Sequence, residues 1–79
     1  MDLASYRKSR RRISQRDCAR ELDLSGKGTI SALETGKYKT SVEMALRIYH
    51  WSEKRVDPKT LVLPEKAHLL ADLPVFEGV

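Results

Sequence analysis

Residues 14–37 read S-Q-R-D-C-A-R-E-L-D-L-S-G-K-G-T-I-S-A-L-E-T-G-K. Ser14 is a good helix N-cap, because its hydroxyl can accept a bond from a free backbone N–H of the first turn. Cys18, Ala19 and Leu22 then fall on one apolar stripe at helical spacing. Residues 23–26 break the period with turn formers. A second stripe follows at Ile30 and Leu33, and Gly36 stands where a helix C-terminus favours a left-handed residue. Lys37 lies beside the negative end of that helix dipole. Helix, short turn containing glycine, helix is the pattern of a helix-turn-helix, whose second helix enters the DNA major groove.

The helix over 15–22 presents Arg16, Asp17, Arg20 and Glu21 outward. Cys18 reads as a small buried hydrophobe, with no second Cys or neighbouring His to support metal chemistry. The next helix starts near 26 or 27 and ends near Thr35. Its first residues, Gly26, Lys27, Gly28 and Thr29, are poor helix-interior formers but suit a first turn that backs onto a phosphate or a base edge. Lys27 can donate to guanine, Thr29 and Ser31 can donate, accept or touch a thymine methyl, and Ala32 is small enough for close approach. Gly26 either makes such a contact or only lengthens the turn.

Upstream, residues 2–12 predict a first helix capped by Asp2, with Leu3, Tyr6 and the stem of Arg10 turned inward and Ile13 closing it. Arg7, Lys8, Arg10, Arg11, Arg12 and Arg16 form the densest basic cluster in the chain. One helix face cannot bury them all, and phosphate contact is the functional reading for Arg10, Arg11, Arg12 and Arg16. Downstream, Thr40 or Ser41 caps a fourth helix, with Thr40 and Glu43 spaced as a capping box. Val42, Ala45, Leu46 and Tyr49 give it the strongest helical period in the chain, and Met44, Ile48 and Trp51 widen the apolar arc. His50 reads as a surface residue. Asp57–Pro58 starts a short fifth helix to about Val62 that sets Leu61 on the core. Pro64 begins one or two further turns with Ala67, Leu69, Leu70 and Leu73, and Pro74 ends them. The apolar character of 69–79 predicts that part of it packs on something, a second subunit being one choice. Trp51, Leu69, Leu70, Leu73, Val75 and Phe76 are the candidate dimerisation residues.

Seventy-nine residues make one small domain. The net charge is +4, and its distribution is uneven. Residues 1–40 carry ten Lys/Arg and five Asp/Glu, whereas 41–79 carry five and six. The excess lies with the helix-turn-helix and favours a polyanionic partner. One Cys excludes an intrachain disulfide. No apolar run approaches the roughly 18 residues of a membrane span. The basic N-terminus lacks a signal core, so a cytoplasmic location is expected. The chain offers no paired carboxylates, and its G-K-G at 26–28 lacks the spacing of a phosphate-binding loop, so no enzyme, metal or cofactor is expected.

Residues 3–61 resemble the Cro/phage-repressor family of helix-turn-helix proteins, also called the xenobiotic-response-element family. The matching segments are I-S-Q-R-D-C-A at 13–19, T-I-S-A-L-E-T-G-K at 29–37 and S-V-E-M-A-L-R-I at 41–48. The resemblance implies an all-α compact bundle of about five helices that binds operator DNA as a dimer, in a prokaryotic or phage setting. It makes Gln15 a phosphate-fixing or base-supporting residue and Lys27, Gly28, Thr29 and Ala32 base-reading positions. It pairs Glu34 with a basic residue of the first helix, Arg7 or Lys8, and places Lys37 and Lys39 on the DNA backbone. Three departures stand out. Asp23 replaces the usual turn glycine, one extra residue lies between Leu24 and Ile30, and no glycine follows the first helix at 10–12.

The expected function is a sequence-specific regulator of double-stranded DNA, a repressor acting as a homodimer on a (pseudo)palindromic operator. Residues 1–63 form the DNA-binding domain and 64–79 a tail for dimerisation. With no room for a ligand-sensing domain, control rests on concentration or on a protein partner. The alternative is an antitoxin-type or heterodimerising regulator whose main role is binding a protein.

Overall fold

The computed structural model describes residues 1–76 and is all-helical, with no strand among the described residues. Helix α1 has an α-turn at Leu3–Ser5 and a wider-wound part at Tyr6–Arg11. Helices α2 (Gln15–Glu21), α3 (Lys27–Thr35) and α4 (Val42–Trp51) follow. Two 3₁₀ segments, Pro58–Thr60 and Pro64–Leu70, complete the bundle. The expected residues at 77–79 lie outside the described part.

The caps explain the boundaries. Asp2 accepts from the Ser5 N–H at 2.7 Å, Ser14 Oγ from the Asp17 N–H at 3.0 Å, and Asp57 from the Lys59 N–H at 2.9 Å. Each satisfies an otherwise open donor of its first turn. Helix α4 is capped by Ser41, whose Oγ accepts from the Met44 N–H at 3.1 Å. The expected Thr40–Glu43 capping box is therefore corrected: the Thr40 N–H is committed to the Leu61 carbonyl at 2.7 Å. The helix expected from Pro58 to about Val62 is one 3₁₀ turn ending at Thr60.

The first helix also departs from expectation. After Tyr6 its bonds run i→i+5, and the Arg12 N–H reaches the Arg7 carbonyl. Such a widened turn advances the inward face by one residue. Tyr6 and Arg7 are buried and Arg10 is exposed, so the inward residue is Arg7 and not the stem of Arg10. The helix then stops with Arg12 in the left-handed region at φ 54°. Asp23, in the turn between α2 and α3, adopts φ 58°. Arg12 and Asp23 are thus left-handed non-glycine residues, as are Glu53 and Lys54 after α4. Asp tolerates that conformation better than Arg. Gly36 closes α3 at φ 79°, as its residue type requires.

The core joins Leu3 and Tyr6 of α1, Cys18 and Ala19 of α2, Leu22 just beyond it, Ile30 and Leu33 of α3, and Ala45, Ile48 and Tyr49 of α4. Val56, Leu61, Val62 and Leu70 close it from the C-terminal side. In α4, Ile48 is fully buried and Leu46 only partly, which turns the inward face slightly from the expected stripe. Cys18 is fully buried, and burial pushes its thiol up to about 11. Arg47 ties α4 to the helix-turn-helix by donating to the Leu22 carbonyl at 3.4 Å. Ser52, wholly buried, donates to the Tyr49 carbonyl and accepts from the Val56 N–H, which fixes the turn after α4. Leu70 is spent on this core. Beyond it the chain returns to α4: Tyr49 donates its phenol to the Pro74 carbonyl, and the Phe76 N–H bonds the Lys54 carbonyl at 2.8 Å. No helix among the described residues is long and apolar enough to cross a membrane.

Candidate nucleic-acid interface

Helix α3 begins at Gly26, which caps it in an extended conformation and contributes no side-chain bond. Its first-turn residues Lys27 and Gly28 are exposed, and Thr29, Ser31 and Ala32 are half-buried. Every base-reading candidate therefore reaches solvent, while Ile30 and Leu33 on the opposite face are buried. Lys27 does not stand alone. It lines a concavity with Ser14, Gln15 and Arg16 at the start of α2. Arg16 also lines an adjoining concavity with Arg20, Leu24, Ser25 and Gly26. The structure thus brings together Gln15, Arg16 and Lys27, residues from both helices of the motif.

Behind this surface lies a three-residue network. Arg7 Nε donates to Glu34 Oε2 at 2.6 Å and Arg7 Nη2 to Glu34 Oε1 at 3.2 Å, a bidentate pair that is nearly buried. Gln15 Nε2 donates to the same Glu34 Oε1 at 3.0 Å, and Arg7 Nη1 to the Ile13 carbonyl at 3.0 Å. The fork shape of the guanidinium explains why Arg and not Lys serves here. Of the two candidate partners for Glu34, Arg7 makes the pair. The bonds Arg7 donates to Glu34 raise its guanidinium above its ordinary value. Burial pushes the Glu34 carboxyl up, but the bonds from Arg7 and Gln15 outweigh it and hold the group below its ordinary value. Gln15, at the start of α2, is thereby oriented by a carboxylate on α3, with one amide hydrogen and the amide oxygen not used by this bond.

The other expected phosphate contacts are dispersed. Arg10 and Arg12 are exposed at the end of α1. Arg11 pairs with Glu21 and lies over the Trp51 ring, 5.3 Å from its centroid. Trp51 donates to Glu21 at 3.0 Å and meets the Tyr6 ring edge-on at 5.2 Å. Arg11 is thus placed in a polar-aromatic cluster and does not line the concavities of Arg16 and Lys27. Lys37 is exposed after Gly36. Lys39 donates to the Thr60 carbonyl at 3.1 Å and lines a separate concavity with Val42, Leu63, Lys66 and Leu69.

The dimerisation candidates also divide. Leu70 is 1% exposed and is unavailable to a partner without unfolding this chain's own core. Trp51, Leu73 and Val75 are half-buried, and Leu69 and Phe76 are exposed. Leu63, also exposed, was not marked by the periodicity, since it lies between two short segments of different phase. Leu24 and Tyr38 beside the first turn of α3 were missed as well. Only the basic neighbours Lys37 and Lys39 could have drawn attention to Tyr38.

No group of His, Cys, Asp and Glu suited to a metal occurs among the described residues. No protein-family model, no curated protein and no solved structure matches this chain.

Proposed function

We propose that this chain is a sequence-specific regulator of double-stranded DNA, a repressor that lays α3 in the major groove. The observation that carries the reading is the shared concavity of Ser14, Gln15, Arg16 and Lys27. It sets cations and hydrogen-bond donors from the start of α2 beside the exposed first turn of α3. Phosphate contacts that position and base contacts that specify then come from one surface. The basic bias of residues 1–40 and the resemblance to the Cro/phage-repressor family support it. As a homodimer in the cytoplasm of a prokaryote or an infected cell, the protein would meet two half-sites about one helical turn apart.

Selection of duplexes from a random pool tests this. A palindromic consensus is expected, and Lys27→Ala and Gln15→Ala are expected to weaken its binding. Because Gln15 also bonds Glu34, its variant is compared with a thermal melt. Unchanged affinity in both variants, or no enriched sequence, would count against the reading.

A second reading is a regulator whose main role is binding a protein, as in an antitoxin. Exposed Leu63 and Leu69 beside Lys39 and Lys66 favour it. Light scattering separates the two: a stable homodimer supports the first, a monomer that pairs only with another chain the second.

A further inference from the structure

We propose that the groove formed by Leu24, Gly28, Ala32 and Tyr38 is a receptor for the C5-methyl of a thymine, and that Leu24 and Tyr38 are specificity-determining residues. The inference rests on the DNA-reading assignment of α3 and adds which base chemistry that helix takes.

Four observations converge. First, the groove lies on the outer side of the first turns of α3, and Leu24, Ser25, Gly28, Thr29, Ala32 and Tyr38 line it. Second, Thr29 Oγ1 and Ser25 Oγ are 3.2 Å apart and bond each other. Ser25 and Thr29 thus engage one another, and Leu24, Ala32 and the face of the Tyr38 ring supply the apolar part of the lining. Apolar contact from small side chains is how proteins recognise the one methyl group in the major groove.

Third, nothing in the fold demands glycine at position 28. Its backbone is outside the left-handed region, and a Cβ added there meets nothing within 4 Å. Glycine in a helix without a backbone reason weakens the helix. What a missing Cβ provides is close approach from outside, and the side it opens is this groove. Fourth, the flanks are cationic. Leu24 and Ser25 also line the concavity of Arg16, Arg20 and Asp23, where cations outnumber the one acid, and Lys27 next to Gly28 lines that of Gln15 and Arg16. An apolar dent flanked by cations fits a base edge between phosphates.

The test uses the full chain and the half-site selected from a random duplex pool. Each thymine is replaced in turn by uracil, which removes the methyl and keeps the pairing. One replacement per half-site is expected to weaken binding about fourfold, the worth of burying one group of that size. Gly28→Ala and Tyr38→Ala are then measured on both duplexes. Gly28→Ala puts a methyl in the path of approach and Tyr38→Ala removes one wall, so each is expected to bring the thymine-to-uracil ratio towards one, with folding checked by circular dichroism. No sensitivity to any uracil in the native protein overturns the proposal and leaves the DNA-reading assignment standing. Sensitivity that persists in both variants places the methyl elsewhere and also overturns it. Loss of self-association in Tyr38→Ala with the ratio unchanged assigns the groove to a second copy and overturns it too. Failure to enrich any sequence removes base reading itself, and the proposal with it.

Discussion

Arg7 grips Glu34 through two bonds, at 2.6 and 3.2 Å, and so joins α1 to the last turn of α3 beside the start of α2. The pair is nearly buried, at 9% and 7% side-chain exposure, so removing one member strands the other charge away from water. Arg7→Ala is expected to cost about 3–5 kcal/mol, as for other broken buried pairs. Replacing both residues by Leu should recover much of that loss, because no lone charge remains. Urea titrations of the three proteins measure both effects. A loss below about 1 kcal/mol for Arg7→Ala would show the pair to be solvated.

The same pair sets an acid limit. Glu34 is held below its ordinary value, and Asp2 likewise through the bond from the Ser5 N–H. A carboxyl that binds protons less readily when folded adds stability above its unfolded value, about 4.3 for Glu, and loses it as pH falls through the folded one. Stability is therefore expected to hold from pH 7 to about 5 and to decline below about 4. Glu34→Gln should be less stable at pH 7 and show a shallower decline. Melting temperatures from pH 7 to 3 check this, and an equally steep decline in the variant would sink the assignment.

Left-handed residues give a second set of expectations. Arg12 at φ 54° carries a strain that glycine does not, so Arg12→Gly is expected to gain about 1 kcal/mol. Asp23→Gly should gain less, because Asp accepts that conformation more readily. Gly36→Ala, at φ 79°, should lose about 1 kcal/mol. Gly28→Ala should instead gain about 0.5–1 kcal/mol, since it sits in an ordinary helical turn with open space around it. Denaturant midpoints rank the four variants, and a stabilising Gly36→Ala would contradict this reading of the backbone.

Arg11 and Arg16 are expected to part company in DNA binding. Arg16 shares its concavity with Lys27, whereas Arg11 is occupied by Glu21 and Trp51. Arg16→Ala should reduce the slope of log affinity against log salt by about one phosphate contact. Arg11→Ala should leave that slope nearly unchanged and alter Trp51 fluorescence. The opposite pattern would place the phosphate path along the end of α1.

Cys18 is expected to be unreactive. Its thiol is fully buried and lifted to about 11, so little thiolate exists at pH 8. A chromogenic disulfide reagent should react only as fast as the protein unfolds, with the rate rising in urea. Immediate stoichiometric reaction in buffer would show that the site is open.

The helix-turn-helix was legible because its signals are local. Ser14, Gly36 and Asp57 sit at boundaries that their own chemistry sets, and Cys18, Ala19 and Leu22, then Ile30 and Leu33, form two stripes at helical spacing. The inward turn of Arg7 was not legible from spacing, because it follows from a widened backbone that no residue pattern announces. The capping choice between Thr40 and Ser41 was decided by a distant carbonyl, that of Leu61. At the candidate site, Lys27, Gly28 and Thr29 could be placed from type and spacing. Leu24 and Tyr38 could not, since their proximity to α3 depends on how the two loops fold back. Leu70 and Leu69 look alike in sequence, yet a 3₁₀ winding sends the first to the core and leaves the second 60% exposed.

The widened part of α1, Tyr6–Arg11, holds more chain per turn than an α-helix does. It is in effect an insertion absorbed by the helix instead of being looped out. Length at this point is uncoupled from the placement of Leu3 and Tyr6 in the core. Removing a residue such as exposed Ser9 is expected to rewind the segment towards ordinary helix and to turn the basic end that follows, Arg11 and its contacts to Glu21 and Trp51 included. The orientation of Arg10 and Arg12 is thus a variable that a change in length can tune while α2 and α3 stay fixed.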